Sequence, residues 1–175
     1  MQSDTAWAGL RQEIVRLCEE HERSHESEED YRRCVVFEGF FVKFGNYESL
    51  YPEYKTQEYL SKLAASDASA PHVPHVCDFF TPDDGMAYLV MEYIEPTHSP
   101  VPDLPQRAAQ ALQWLRGLRL PDDAQIGCLG GGRARHRFFK DYTAPLSFSS
   151  IEALERYMNM VRPRSLNLAF DTSKP

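Results

Sequence analysis

The chain has no long hydrophobic run. Its longest apolar stretch, Met86 to Met91, holds six residues, against the roughly 18–20 that a membrane-spanning helix needs. It is also short of positive charge, with 19 Lys and Arg against 26 Asp and Glu and a net charge of −7. A nonspecific nucleic-acid binder draws its affinity from excess positive charge, so neither a nucleic acid nor a membrane is expected as partner. The N-terminus, Met1-Gln2-Ser3-Asp4, lacks the basic and apolar regions of a secretory signal. A soluble, cytoplasmic protein is expected. No CxxC pair occurs, and Cys18, Cys34, Cys77 and Cys128 are far apart, which suits reduced thiols better than a disulfide framework. His72, His75 and Cys77 cluster, but their spacing fits no standard zinc pattern and no fourth ligand is evident, so no metal site is expected. No internal repeat is found.

What is present is enough for one domain of ordinary size or slightly more, since 175 residues of which 42% are apolar can bury a real core. From Asp4 to about Glu22, Trp7, Leu10, Ile14, Leu17 and Cys18 recur every three or four residues, the period of an amphipathic helix. Residues 19–30 are rich in Glu and read as a helix end and a solvated loop. Cys34 to Phe37 and Phe40 to Phe44 make a hairpin around Glu38-Gly39, a turn pair of hairpin type. Lys43 interrupts the second strand. It is either an edge residue that snorkels or a cation held in a cleft for an anion.

A second helix is predicted over about 52–65, with Pro52 in the first turn and Glu53 at the positive end of the helix dipole. His72 to Phe80 reads as a strand, Thr81 to Gly85 as a turn, and Met86 to Pro96 as a strand buried on both faces that runs into a connector. Such a junction between sheet and helices is a natural place for a ligand crevice.

Past Pro96 the character changes. Asp103 with Gln106 has the form of a helix N-cap and its reciprocal partner, and Leu104, Ala108, Ala111, Leu112, Leu115 and Leu118 continue one helical face. Residues 121–147 read as a long loop. Its triplet Gly130-Gly131-Gly132 with Arg133 and Arg135 would suit an anion, but lacks the Gly-Lys-Ser/Thr that opens the helix of a phosphate loop, so a structural turn is expected. Ser149 with Glu152 forms a capping-box pattern for a last helix carrying Ile151, Leu154, Tyr157, Met158 and Val161, which ends near Pro163.

The order of these elements resembles the N-terminal lobe of the protein kinase-like superfamily. More narrowly, the segments PEYKTQEYL, APHVPHVCDFF, GMAYLVMEYIEP, GGGRARHRFFKDYTAP and FSSIEALERYMN are similar to the fungal branch of aminoglycoside phosphotransferase-like kinases, over about residues 31–175. The resemblance implies an α+β fold: a kinase-like N-lobe, a small antiparallel sheet plus helix, over 31–96, preceded by a helix and acidic loop over 1–30 and followed by a partial helical C-lobe over 97–175. It implies ATP with magnesium as cofactors. Lys43 would hold the nucleotide's α- and β-phosphates, and Glu53 would position it, with Glu58 the alternative partner. Met91 would back the adenine pocket, and the backbone of Glu92 and Ile94 would bond the adenine edge.

The departures are equally specific. Phosphoryl transfer needs a catalytic-loop Asp and metal-holding Asn and Asp residues, and no His-x-Asp stands anywhere in the 175 residues. Residues 31–39 offer only Gly39 for a nucleotide-covering loop. The expectation is a pseudokinase-like chain truncated before the catalytic loop, with no catalytic residues and weak nucleotide binding. The rival expectation is an interaction module that binds another protein through exposed apolar surface.

Overall fold

The computed structural model describes residues 2–82, 85–97, 101–119, 126–127, 129–137 and 139–161. Its chain divides into two compact units, Met1–Asp122 and Asp123–Pro175. The fold is α+β. In chain order the first unit holds α1 (Gln2–His25), β1 (Cys34–Phe37), β2 (Phe40–Asn46), α2 (Tyr47–Ala65), β3 (Val76–Phe80), β4 (Met86–Glu92) and α3 (Leu104–Gly117). The four strands form one antiparallel sheet in the order β1-β2-β4-β3.

The hairpin forms as its sequence predicts. Glu38 and Gly39 have φ of 48° and 80°, the two positive values that a tight turn matching strand twist requires. Strand β4 lies between β2 and β3, and Ala87 through Met91 are all buried. Its side chains alternate between two cores. Tyr88 and Val90 join Val42, Phe44, Ile14 and Cys18 on the face covered by α1, while Ala87, Leu89 and Met91 join Leu50, Phe41 and Tyr54 on the face covered by α2. Arg11 of α1 grips Asp78 of β3 with two bonds of 2.7 and 2.8 Å, which ties the helix to that edge of the sheet.

Three boundaries differ from expectation, each for a physical reason. Helix α1 continues through the acidic tract to His25 because charges pair along it: Arg16 bonds both Glu13 and Glu20, and Glu22 meets Arg33 at 2.6 Å. Helix α2 begins at Tyr47, five residues before Pro52. Tyr47, Tyr51 and Tyr54 pack around Phe79, the last stacked on it at 4.4 Å, and this aromatic cluster holds a turn that the proline argued against. Glu53 therefore lies beyond the first turn, where the acidic residue is Glu48. Strand β3 starts at Val76 rather than His72, since Pro71 and Pro74 have no amide to give a ladder, and the register shifts between Val76 and Asp78.

Helix α3 forms as predicted, but Asp103 makes no side-chain capping bond and no residue of the helix is buried. Leu104, Leu112 and Leu115 are exposed. The Trp114 indole N–H donates to Asp67 at 2.8 Å, and the Tyr59 hydroxyl donates to the Arg119 carbonyl at 2.6 Å.

The second unit builds a small core of Phe139, Ala144 and Phe148 against Leu154, Tyr157 and Met158 of α4 (Ile151–Val161). The long loop is thus partly organised, with isolated bridges Ile126↔Phe148 and Arg135↔Thr143 and a 3-10 turn over Lys140–Tyr142. Ser150, not Ser149, caps α4, accepting the Ala153 amide at 3.2 Å. Gly130, Gly131 and Gly132 all have positive φ. A Cβ on Gly127 would meet the Gly132 carbonyl at 3.2 Å, so this glycine allows a close backbone approach. The predicted helix end near Pro163 and the segment 162–175 lie outside the described residues. Among the described residues, no helix is long and apolar enough to cross a membrane.

Candidate functional site

Strand alternation puts Phe41 and Lys43 of β2 on the α2 side of the sheet, where Lys43 lies opposite Leu89 of β4. Its Nζ donates to Glu53 Oε1. The side chains keep 38% and 45% of their exposure, so the pair opens to solvent. An ammonium has three donors, and with one directed at Glu53 the others remain for an anion. Glu58 is turned elsewhere, accepting from Lys55 Nζ at 2.8 Å and pairing with Lys62 Nζ at 2.9 Å. Of the two carboxylates weighed against Lys43, the structure brings only Glu53 to it.

The two lysines at Glu58, Lys55 first, pull its carboxyl down to about 2. A carboxylate lowered by folding stabilises the native state above its unfolded pKa and loses that contribution as pH falls through the folded one. Melting temperature measured between about pH 4.5 and 2 is therefore expected to fall less steeply in Glu58→Gln than in wild type.

Met91 is buried in the α2-side core, opposite Phe41 and Val76. The end of β4 and the residue after it are stitched to both neighbours: the Glu92 amide donates to the His75 carbonyl at 3.0 Å and the Tyr93 amide to the Gly39 carbonyl at 3.1 Å. The Glu92 amide is thus committed inside the protein. Among the described residues no backbone carbonyl accepts from the Ile94 amide, and the Ile94 side chain is exposed.

No family model, curated protein or solved structure matches this chain.

The Glu92 carboxylate is the centre of a network that spacing along the chain does not reveal. It meets His72 Nε2 at 3.0 Å and His75 Nδ1 at 3.1 Å, and it accepts from the His75 backbone amide at 3.4 Å. These bonds, the His72 contact first, hold it below the usual carboxylate range. On the far side of the same ring, His75 Nε2 lies 3.3 Å from Cys77 Sγ. Only the β3–β4 pairing brings position 92 to positions 72–77, and that pairing is not written in the local pattern.

Proposed function

We propose that the α2-facing side of the sheet binds an adenine nucleotide as a kinase-like lobe does, without transferring its phosphoryl group. The observation that carries this reading is the solvent-open Lys43–Glu53 pair on the buried face that also holds Met91. A lysine positioned by a carboxylate is what the α- and β-phosphates require. The antiparallel order β1-β2-β4-β3, with α2 between β2 and β3 in the chain, supports the same reading, as does the Ile94 amide at the exit from β4. The adenine contact assigned to Glu92 falls to its carbonyl, because its amide is committed to His75. Magnesium would arrive on the nucleotide's phosphates. Glu53 is the carboxylate at Lys43 and is engaged by it, and no His-x-Asp stands in the 175 residues to supply a catalytic base, so the reading stops at binding.

Calorimetric titration with MgATP tests it. Wild type is expected to bind, and Lys43→Ala to lose at least about tenfold in affinity, the value of one charge-assisted hydrogen bond. Equal binding by both proteins, or none by either, overturns the nucleotide reading. The second reading, a module that binds another protein, is favoured by one observation: Leu104, Leu112 and Leu115 form an exposed apolar side of α3. Such a side suits the apolar side chains of a partner protein.

A further inference from the structure

We propose that Cys77 is a modifiable thiol served by His75 as general base, and that it forms a mixed disulfide with low-molecular-weight disulfides. This inference is independent of nucleotide binding. Its basis is a line of three groups in the order nucleophile, base, orienting carboxylate. Cys77 Sγ lies 3.3 Å from His75 Nε2, and His75 Nδ1 lies 3.1 Å from Glu92 Oε2. A carboxylate only accepts hydrogen bonds, so Glu92 fixes the tautomer with the proton on Nδ1. That leaves the Nε2 lone pair facing the thiol. Glu92 is in turn held by His72 Nε2 and by the His75 amide, which sets the ring plane. The base is reachable from solvent, since the His75 side chain keeps 67% of its exposure.

The surroundings determine how the thiol reacts. Burial first, then the charges of Glu92 and Asp78, push the Cys77 thiol up, so a standing thiolate is scarce. The proton has to leave during attack, which is the task of a hydrogen-bonded imidazole. In the step, His75 Nε2 takes the thiol proton while Cys77 Sγ attacks one sulfur of the incoming disulfide. The new S–S bond forms as the old one breaks, and the departing thiolate takes the proton from His75. One thiol and one disulfide enter, and one thiol and one disulfide leave, so no further oxidant is needed. The charged and titratable groups around the dyad are Glu92 on β4, His72 before β3, and Asp78 on β3, the last neutralised by Arg11 of α1.

The other described cysteines serve as internal controls. Cys18 is fully buried and its thiol is pushed up to about 12, and Cys34 is half-buried with no imidazole bonded to its sulfur among the described residues. The test is exposure of the folded protein to glutathione disulfide, with each cysteine followed separately by peptide mass spectrometry. Cys77 is expected to react first, ahead of Cys34, with Cys18 unreacted. His75→Gln is expected to slow Cys77 by at least about tenfold, to remove the limb of its pH–rate profile that lies below the thiol's own ionisation, and to leave Cys34 unchanged. Glu92→Gln, which keeps the shape of the side chain, is expected to slow Cys77 less. Circular dichroism of each variant confirms that the fold is intact before rates are compared. Cys34 reacting as fast as Cys77, or a Cys77 rate and pH profile indifferent to His75→Gln in a folded variant, overturns the proposal.

Discussion

Replacing Tyr88 by alanine is expected to lower the unfolding free energy by about 3–5 kcal/mol, the range for truncating a large buried aromatic, read from the midpoint of a urea titration. Tyr88 is 2% exposed in the central strand, where its ring stacks on Phe80 of β3 at 5.0 Å and on Phe44 of β2 at 6.3 Å. It therefore joins β2, β4 and β3 on the face covered by α1. The cavity would open beside Ile14 and Cys18, the most buried residues of the helix, and a helix, which curves as a unit, collapses poorly into a local void. Tyr88→Phe is the control, since it keeps the ring and both stacks; a loss in Tyr88→Phe as large as in Tyr88→Ala would place the effect on the hydroxyl and refute the packing account.

The second large effect is expected in the second unit. Phe139→Ala should cost about 3–5 kcal/mol by the same mechanism, but the consequence is heavier there because the core is so small. Among the described residues of this unit, Phe139, Ala144 and Phe148 are the buried ones, and the Phe139 ring lies 6.2 Å from those of both Phe148 and Tyr157. A core of that size supplies no more than a few kcal/mol, so losing the Phe139 ring is expected to unfold α4. Hydrogen exchange over residues 126–161 checks this. Fast exchange of the α4 amides in Phe139→Ala against protection in wild type is the expected result, and equal protection refutes it.

How much of this was legible beforehand depends on what each feature rests on. The hairpin around Glu38-Gly39, the buried Met86–Met91 strand and the periods of α1, α3 and α4 are local patterns, and the structure has them where the sequence puts them. The start of α2 was not legible, because a proline argues against a preceding turn and the force that overrides it is aromatic packing on Phe79, a residue 32 positions from Tyr47. The cap of α4 was misplaced by one residue, since Ser149 and Ser150 offer the same hydroxyl and only backbone geometry chooses between them. Lys43 and Glu53 were named from a resemblance, and their contact is a property of the tertiary structure that no spacing rule delivers. The Glu92–His75–Cys77 line was missed entirely: two of its members stood out as a failed metal pattern, and the third arrives only through the register of β4 on β3.

Two backbone bonds fasten the C-terminal end of β4. Glu92 is fastened to the segment before β3 and Tyr93 to the β1–β2 turn, so the chain leaves the sheet clamped from both sides. Any rotation of the polypeptide that follows has its pivot at Ile94 or later. A force applied downstream would load the bonds to Gly39 and His75, at the end of the strands, before it reached the Met86–Met91 stretch itself.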